Sequence, residues 1–416
     1  MKKILYLIFI ILLIIFGYIY YTYEYLTYYE EILNDVESIE VSLNNYSIFG
    51  THLNIDGCID KKLNEPKLVL KNKRSKIILD TEFYEEDNKI CFYINKHYNE
   101  GIYLDGIKEG DYLLLINDDD KCYSIKNNTS YKDLEYYTIT KNNTNNKINI
   151  NFKNYNNINY VRFIVKESSL PDDVYDIMID PGHGGKDVGA IGRIGDKRYY
   201  EANLTLDVSL RIKKDLEKKG YKVYITRDSD IGLDIYGEYG RAVVANKYNT
   251  KYSFSIHFNS DYGVMKYGGV EIYTPTNIDL TLATLFADNL SKIVGYSKNN
   301  NFKLFDGVYY KYFRPIDIED TKKSMLISDM KPYDIKENTP YMYMIRELGG
   351  IHTNAYNDGR NEEYSINPYY NSNKTTEPYL LELAYINYPD DLKKALDNPD
   401  DFKDAIVSAI TKYLEK

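Results

Sequence analysis

The sequence has no surplus of basic residues. Among its 416 residues, Asp and Glu number 62 and Lys and Arg 52, which gives a formal net charge of −10. A protein that neutralises the phosphates of a nucleic acid needs the opposite balance. Tryptophan is absent and tyrosine reaches 47 residues, a bias in composition from which no function follows. The charge therefore argues against a nucleic-acid partner.

Cysteine is scarce, and its three copies all lie in the N-terminal part, at Cys58, Cys91 and Cys122. An odd number cannot pair completely within one chain, and the spacing matches no zinc-binding pattern. One disulfide with one free thiol, or three buried thiols, are both open. Because the C-terminal half has no cysteine, a metal bound there must use histidines and carboxylates.

The N-terminus predicts a membrane anchor. Lys2 and Lys3 precede an uncharged run from Ile4 to Tyr23, which as a helix would span roughly 30 Å, the thickness of a bilayer core. The two lysines favour a cytoplasmic N-terminus, and Glu24 begins the outer side. We therefore expect a single-pass signal-anchor over residues 1–23 in the cell membrane, a stalk over 24–35, and extracytoplasmic domains beyond it.

A cleaved signal peptide is the rival interpretation of this segment. The first alanine of the chain is Ala190, so the segment contains no A-x-A cleavage site. No cysteine precedes Cys58, which also argues against a lipoprotein. The sequence thus favours an uncleaved anchor; cleavage would make the protein secreted instead.

Residues 36–166 predict an all-β, sandwich-like domain. Short runs rich in Tyr, Ile and Val alternate with clusters of Asn, Asp and Gly, a pattern typical of short strands and turns. The runs are Ile39–Leu43, Lys67–Leu70, Lys76–Leu79, Ile90–Ile94, Tyr112–Ile116, Lys147–Phe152 and Tyr160–Val165. His52 and His97 stand alone here and are expected to be ordinary surface or core histidines.

After a linker at residues 167–173, strands and helices alternate over residues 174–416. Tyr175–Ile179 reads as a buried strand, Glu201–Lys219 as an amphipathic helix that Gly220 ends, and Tyr221–Thr226 as the next strand. Such a βαβ unit makes a parallel pair. The expected fold is an α/β domain with a mostly parallel sheet flanked by helices.

Two histidines and a glutamate are predicted to meet at one edge of that sheet. His183 follows the first strand at the turn Asp180–Gly182, and His257 follows another strand, while Glu201 begins the helix that leaves the same edge. Ligands bind at the carboxyl edge of open α/β sheets. Two imidazoles and one carboxylate form a known zinc set that leaves a coordination position for water.

Glu382 lies within a strongly apolar strand, Tyr379–Ile386, where alternation places it on one face with Leu380 and Ala384. A carboxylate in that position costs several kcal/mol unless it is paired, bound to a metal or facing a wet cleft. The structural explanation is an ion pair with a partner such as Arg227, Arg241 or Arg346. The functional explanation is that Glu382 acts as a general base beside a metal-bound water, whose pKa zinc would lower towards about 7.

Four segments in this order resemble the zinc-dependent N-acetylmuramoyl-L-alanine amidases of bacterial cell walls, of the Amidase_3 type. They are Ile179–Gly185 (IDPGHGG), Glu201–Leu204 (EANL), Ser255–Asn259 (SIHFN) and Leu380–Leu383 (LLEL). The resemblance covers roughly residues 174–416.

The resemblance implies an autolysin-like hydrolase. One zinc ion would be held by the counterparts of His183, Glu201 and His257, and Glu382 would be the catalytic glutamate. The substrate would be the amide between N-acetylmuramic acid and L-alanine in peptidoglycan. An outward-facing membrane anchor fits that substrate independently, since peptidoglycan lies outside the membrane.

The chain also departs from the family. Ala384 stands where the family usually has glycine, and the interval from His257 to Glu382 is longer than a minimal member needs. The surplus falls around residues 296–376, as a lid, a partner surface or a substrate wall, and it contains His352 as a candidate substrate contact. Asn259, two residues past a proposed ligand, is a candidate for binding substrate or orienting a neighbour.

Two other functions remain in competition. One is a catalytically silent relative that binds peptidoglycan, which the intact set of four residues argues against. The other is a zinc peptidase that cuts within the stem peptide, which the metal set alone does not exclude.

Overall fold

The computed structural model describes most of the chain. The described residues are 6, 9–20, 36–79, 81–94, 101–126, 133–155, 158–235, 239–261, 268–276, 278–298, 303–327, 336–337, 339–349 and 374–415. The predicted stalk lies outside these ranges, as do His97 and His352. Residues 350–373 of the predicted insertion also lie outside them.

The first helix, α1, covers residues 9–20, and its side chains are exposed. None of the helices within the described ranges combines the length and the apolar character that crossing a membrane requires. The ends of the predicted anchor, residues 1–5 and 21–23, lie outside those ranges. The structure gives no support to a transmembrane helix over residues 1–23, which stays a prediction.

The next part of the chain is built from strands. They are β1 (Val36–Phe49), β2 (His52–Ile59), β3 (Pro66–Lys71), β4 (Lys76–Ile78), β5 (Glu82–Glu86), β6 (Lys89–Ile94), β7 (Ile102–Tyr103), β8 (Gly110–Asp118), β9 (Lys121–Lys126), β10 (Leu134–Tyr137), β11 (Asn145–Tyr155) and β12 (Ile158–Ser168). All seven predicted runs fall on strands. The strands β2, β5, β7, β9 and β10 were not predicted. The sequence of β2, HLNIDGCI, mixes buried polar residues with apolar ones, which hides the strand pattern.

Pairing connects these strands into one continuous path. The main path runs β10-β11-β12-β8-β9-β1-β2-β6-β5. The long strand β1 joins its halves, because Val36–Glu40 pairs with β9 and Val41–Phe49 pairs with β2. Apolar side chains of both halves belong to one hydrophobic cluster. The all-β prediction is therefore confirmed, and the sandwich-like arrangement stays a prediction.

One disulfide links neighbouring strands of this domain. Cys58 of β2 and Cys91 of β6 are directly opposite each other in the strand register and are bonded. Cys122 is a free, half-buried thiol. Of the two cysteine arrangements that the sequence left open, the structure has one disulfide with one free thiol.

The second part of the chain alternates strands and helices. Its strands are β13 (Ile177–Pro181), β14 (Ile191–Ile194), β15 (Lys197–Tyr200), β16 (Val223–Ile225), β17 (Tyr252–Asn259), β18 (Glu271–Tyr273), β19 (Lys303–Phe305), β20 (Val308–Tyr309), β21 (Lys374–Thr375) and β22 (Glu377–Tyr385). Its helices are α2 (Glu201–Lys218), α3 (Arg241–Lys247), α4 (Thr281–Val294), α5 (Pro315–Ile327), α6 (Tyr343–Gly349), α7 (Pro389–Asp397) and α8 (Pro399–Leu414). The described residues of the predicted insertion thus include β19, β20, α5 and α6.

A seven-stranded sheet in the order β16-β13-β17-β22-β18-β20-β19 forms the centre of this part. The predicted βαβ unit is confirmed, since β13 and β16 are parallel neighbours joined through α2. Alternation along β13 places Ile177 and Ile179 in the core that includes α2, α4 and α8, and Met178 in the cluster with α3 and α6. Helices therefore cover both faces of a mostly parallel sheet.

The β-rich part attaches at the amino-terminal ends of the central parallel strands. β1 pairs in parallel with β21, immediately before β22, and the Thr51 hydroxyl lies 3.0 Å from the Tyr252 hydroxyl at the start of β17. Phe49 contributes to the core of the α/β part. The opposite, carboxyl ends of the strands are left for a functional site.

Candidate metal centre

The turn that follows β13 places His183 at the carboxyl edge of the sheet. His183 has a positive φ of 61°, which is uncommon for a residue with a side chain. Two buried arginines hold this backbone. Arg241 donates to the carbonyls of Pro181 and His183, and Arg227 donates to the carbonyls of Pro181 and Gly182. The surrounding structure thus stabilises a conformation that the local sequence disfavours.

Two glycines make room for the side chains at this edge. A Cβ on Gly182 would lie 2.3 Å from Cε1 of His257, and one on Gly189 would lie 2.7 Å from a Glu201 oxygen. Gly189 also has a φ of +67°, which favours glycine. Gly182 and Gly189 therefore provide space for His183, Glu201 and His257 themselves.

His183, Glu201 and His257 converge, as the strand ends and the start of α2 predict. One Glu201 oxygen, Oε1, lies 3.1 Å from Nε2 of His183 and 3.0 Å from Nδ1 of His257. One possible ligand atom from each of the three residues lies within 4.8 Å of the other two. The backbone amides of Phe258 and Ala190 donate to the two Glu201 oxygens and fix the carboxylate.

The charges at this cluster favour a cation. Burial alone would raise the pKa of Glu201, but the hydrogen bonds from His183 and His257 hold it well below its usual value. Burial alone would lower the pKa of His183, but the carboxylates of Glu201 and Asp187 raise it. Both shifts show that positive charge is stabilised between these side chains.

The donor set fits a zinc ion. It consists of two imidazoles and one carboxylate, the composition that catalytic zinc sites use. Within the described part of the chain, Nε2 of His257 is buried and has no hydrogen-bond partner. A buried nitrogen without a partner is costly in the protein alone, and a bound metal would supply that partner.

Asp187 is a residue that the sequence did not single out. Its carboxylate lies 2.9 Å from Nδ1 of His183 and also accepts the backbone amide of Gly189. This contact leaves Nε2 of His183 directed towards Glu201 and fixes the orientation of the ring. The signal in the sequence was an acidic residue four positions after His183, a spacing too common to stand out.

Asp187→Asn should weaken zinc binding by about 10- to 100-fold, the usual effect of removing a carboxylate that orients a ligand histidine. Zinc affinity measured by competition with a chelator checks this. Asp196→Asn, which changes an exposed aspartate in the β14–β15 turn, is the matched control and should leave the affinity unchanged. An unchanged affinity in Asp187→Asn would show that the contact does not matter for the metal.

Glu382 lies beside this cluster on the neighbouring strand. It is directly opposite His257 in the parallel register of β17 and β22. It is half-buried, whereas every other residue of β22 is buried. Its Oε2 atom is buried, and no residue that the structure describes forms a hydrogen bond or an ion pair with Glu382. The structural ion pair with an arginine is therefore wrong for the described residues.

The surroundings of Glu382 favour its protonated form. Burial, and then the negative charges of Glu201 and Glu271, raise its pKa well above the usual value, and Lys311 offsets part of this effect. A raised pKa suits a carboxyl group to taking up and releasing a proton during catalysis. Such a group next to a set of possible metal ligands is a candidate acid–base catalyst.

The structure agrees with one expectation for Asn259 and differs from the expectation for Ala384. The Asn259 side chain donates to Glu271 at 2.8 Å, so it orients a neighbour in this structure. Ala384 belongs to the large core, as Leu381 and Leu383 do, whereas Leu380 packs in the cluster with α6. The expectation that Ala384 shares a face with Glu382 is wrong, because the strand is irregular there.

Comparison with known proteins points to one family. A family model described as N-acetylmuramoyl-L-alanine amidase matches residues 177–415, a range that contains all four residues of the site. A putative N-acetylmuramoyl-L-alanine amidase of Buchnera aphidicola is 30% identical over 163 residues, which are 38% of this chain and 71% of that protein.

Two further proteins are also similar to this chain. The germination-specific N-acetylmuramoyl-L-alanine amidase of Bacillus subtilis is 34% identical over 106 residues, which are 23% of this chain and 43% of that protein. The solved structure of the amidase AmiC2 of Nostoc punctiforme is 21% identical and covers 59% of this chain and 98% of its own, with a TM-score of 0.37. That score is too low to add to the assignment.

Proposed function

Because the chain belongs to the N-acetylmuramoyl-L-alanine amidase family, we propose that it hydrolyses the amide bond between N-acetylmuramic acid and L-alanine in peptidoglycan. The observation that carries the proposal is the placement of Glu382, with an unpartnered buried oxygen, opposite His257 in the cluster with His183 and Glu201. That arrangement places an acid–base group beside three possible metal ligands.

One zinc ion would be held by His183, Glu201 and His257. When bound, zinc polarises a carbonyl and lowers the pKa of water. The residues of the chain prepare this site: Asp187 orients His183, and the amides of Phe258 and Ala190 orient Glu201.

Glu382 is the proposed proton carrier. In amide hydrolysis the oxygen of water forms a bond to the carbonyl carbon, and the bond from that carbon to the nitrogen of L-alanine breaks. The attacking water loses a proton and the departing amine gains one. Glu382 takes the first proton as a general base and supplies the second as a general acid, which its raised pKa favours.

One experiment separates the proposal from its two rivals. The purified full-length chain is incubated with peptidoglycan and zinc, and the products are identified by mass spectrometry. An amidase releases whole stem peptides with a new amine on L-alanine and leaves glycan without peptide. Fragmented peptides still joined to muramic acid would instead identify a peptidase, and binding without release would identify a silent relative.

We also propose that the protein is anchored in the cell membrane by its N-terminus, with the remaining domains outside the cytoplasm. The uncharged run after Lys3 and the disulfide between Cys58 and Cys91 support this, since disulfides persist in oxidising compartments. The full-length chain is expected in the membrane fraction, and a chain that begins at Val36 in the soluble fraction. A soluble full-length chain would contradict the anchor.

A further inference from the structure

A β-bulge lies beside Glu382. His257 of β17 is opposite Glu382 of β22, but the next pair in the register is Asn259 with Tyr385. One residue of β17 is therefore opposite two residues of β22. Bulges change the direction of the neighbouring side chains and are frequent next to active sites. The position of Glu382 relative to His257 thus depends on how the bulge is held.

The carboxylate of Glu271 connects the two strands directly beyond the bulge. Its Oε2 atom accepts the Asn259 side-chain amide at 2.8 Å, and its Oε1 atom accepts the Tyr385 hydroxyl at 2.6 Å. Asn259 and Tyr385 are the pair that closes the bulge. The orientation of the Asn259 amide is supported by its oxygen, which accepts the backbone amide of Ser260.

Glu271 is itself fixed on both sides. It is opposite Glu382 in the antiparallel pairing of β18 with β22. The Tyr273 hydroxyl donates to it at 2.7 Å, and the Ser297 hydroxyl donates to it at 2.7 Å. A carboxylate, which only accepts hydrogen bonds, suits four donors. Glu271 therefore ties β17 and β22 to β18 and to the segment after α4.

The placement is costly for a purely structural role. Glu271 is 1% exposed, its four hydrogen-bond donors are neutral, and no cation forms an ion pair with it among the residues described. Burying a carboxylate in this way opposes folding, and Glu271 lies opposite a second carboxyl group, that of Glu382, in the strand register. Polar features of this kind persist where they specify one arrangement of a site.

We propose that Glu271 is a positioning residue that clamps Asn259 to Tyr385 across the bulge and so holds Glu382 in place beside His257. This inference rests on the proposed amidase function, because the benefit of the clamp is the position of the proton carrier. Glu271 acts through Glu382 and is not assigned any contact with substrate.

Glu271→Gln keeps the size of the side chain but removes its charge and one of its two acceptor oxygens. The kcat of the full-length protein on peptidoglycan should fall by about 10- to 100-fold, the scale expected for a misplaced catalytic group. KM and the zinc content should stay unchanged, because the metal ligands are not touched. A loss of zinc in this variant would overturn the inference.

Glu377→Gln is the matched control. Glu377 is a fully buried glutamate of β22, the strand that carries Glu382, and lies opposite Tyr252 at the far end from the site. It accepts the Tyr379 hydroxyl. Its substitution can lower the thermal stability but should leave kcat unchanged. If Glu377→Gln lost as much kcat as Glu271→Gln, the loss would reflect a general effect of removing a buried carboxylate on folding. That result would overturn the positioning role of Glu271.

The double variant Glu271→Gln with Asn259→Asp exchanges donor and acceptor and restores one bond across the bulge. On a logarithmic scale, the double variant should recover at least a third of the kcat that Glu271→Gln loses. Crystal structures supply a readout independent of turnover: Glu382 should be displaced from His257 in Glu271→Gln and returned in the double variant. An undisplaced Glu382 would overturn the clamp, whereas an inactive wild type would refute the amidase function.

Discussion

Glu382→Gln is expected to lower kcat on peptidoglycan by about a thousandfold, within the range that a positioned acid–base group contributes. Glutamine has nearly the same shape but cannot take a proton from water or give one to the departing amine. No described residue is available to replace it, since Glu201 is held between His183 and His257 and Glu271 between its four donors.

The zinc content of Glu382→Gln decides how that loss is explained. The variant should keep one zinc ion per chain and the melting temperature of the wild type, because Glu382 makes no hydrogen bond or ion pair with the residues described. Metal analysis, thermal unfolding and peptide release are measured on the same preparation. If Glu382→Gln remained fully active, its assignment as the proton carrier would be wrong.

His257→Ala should lose both the metal and the activity. It removes one of three donors, so the zinc affinity should fall by more than the roughly 10- to 100-fold that indirect partners of a ligand contribute. It also removes a hydrogen bond from the buried Glu201, which leaves that carboxylate less well placed to bind metal. Zinc per chain, measured after gel filtration, should drop below about one-tenth of the wild-type value.

His52→Ala is the control for this experiment. His52 lies in the β-rich part, beside Thr51 and against the ring of Tyr103, and its removal should change neither zinc content nor turnover. Full zinc content in His257→Ala would show that the metal is bound elsewhere. Together, Glu382→Gln and His257→Ala distinguish a loss of catalysis in which the metal is retained from a loss of the metal itself.

The residues of the site were predictable because each follows a local rule. His183 and His257 lie where strands reach the carboxyl edge of the sheet, and Glu201 starts a helix whose apolar stripe is clear in the sequence. Such local patterns fix the direction of the chain at that edge. Glu382 was conspicuous because a carboxylate interrupts an apolar strand.

Other features depended on contacts between distant segments. The polar strand β2 is buried by pairing with β1 and β6, which its own composition does not indicate. The register of β17 with β22 contains the bulge that moves Ala384 away from the face of Glu382. A strand taken alone alternates strictly, so only its partner reveals the extra residue.

The sequence by itself determined the alternation of elements, the sheet edge at which His183, Glu201 and His257 would meet, and the carboxylate that accompanies them, because hydrophobic periodicity and turn residues act over a few positions. Only the tertiary structure decided which atoms meet, that Asp187 orients His183, and that Glu271 closes the bulge beside Glu382. These contacts join residues whose proximity depends on strand register and packing, which no local pattern encodes.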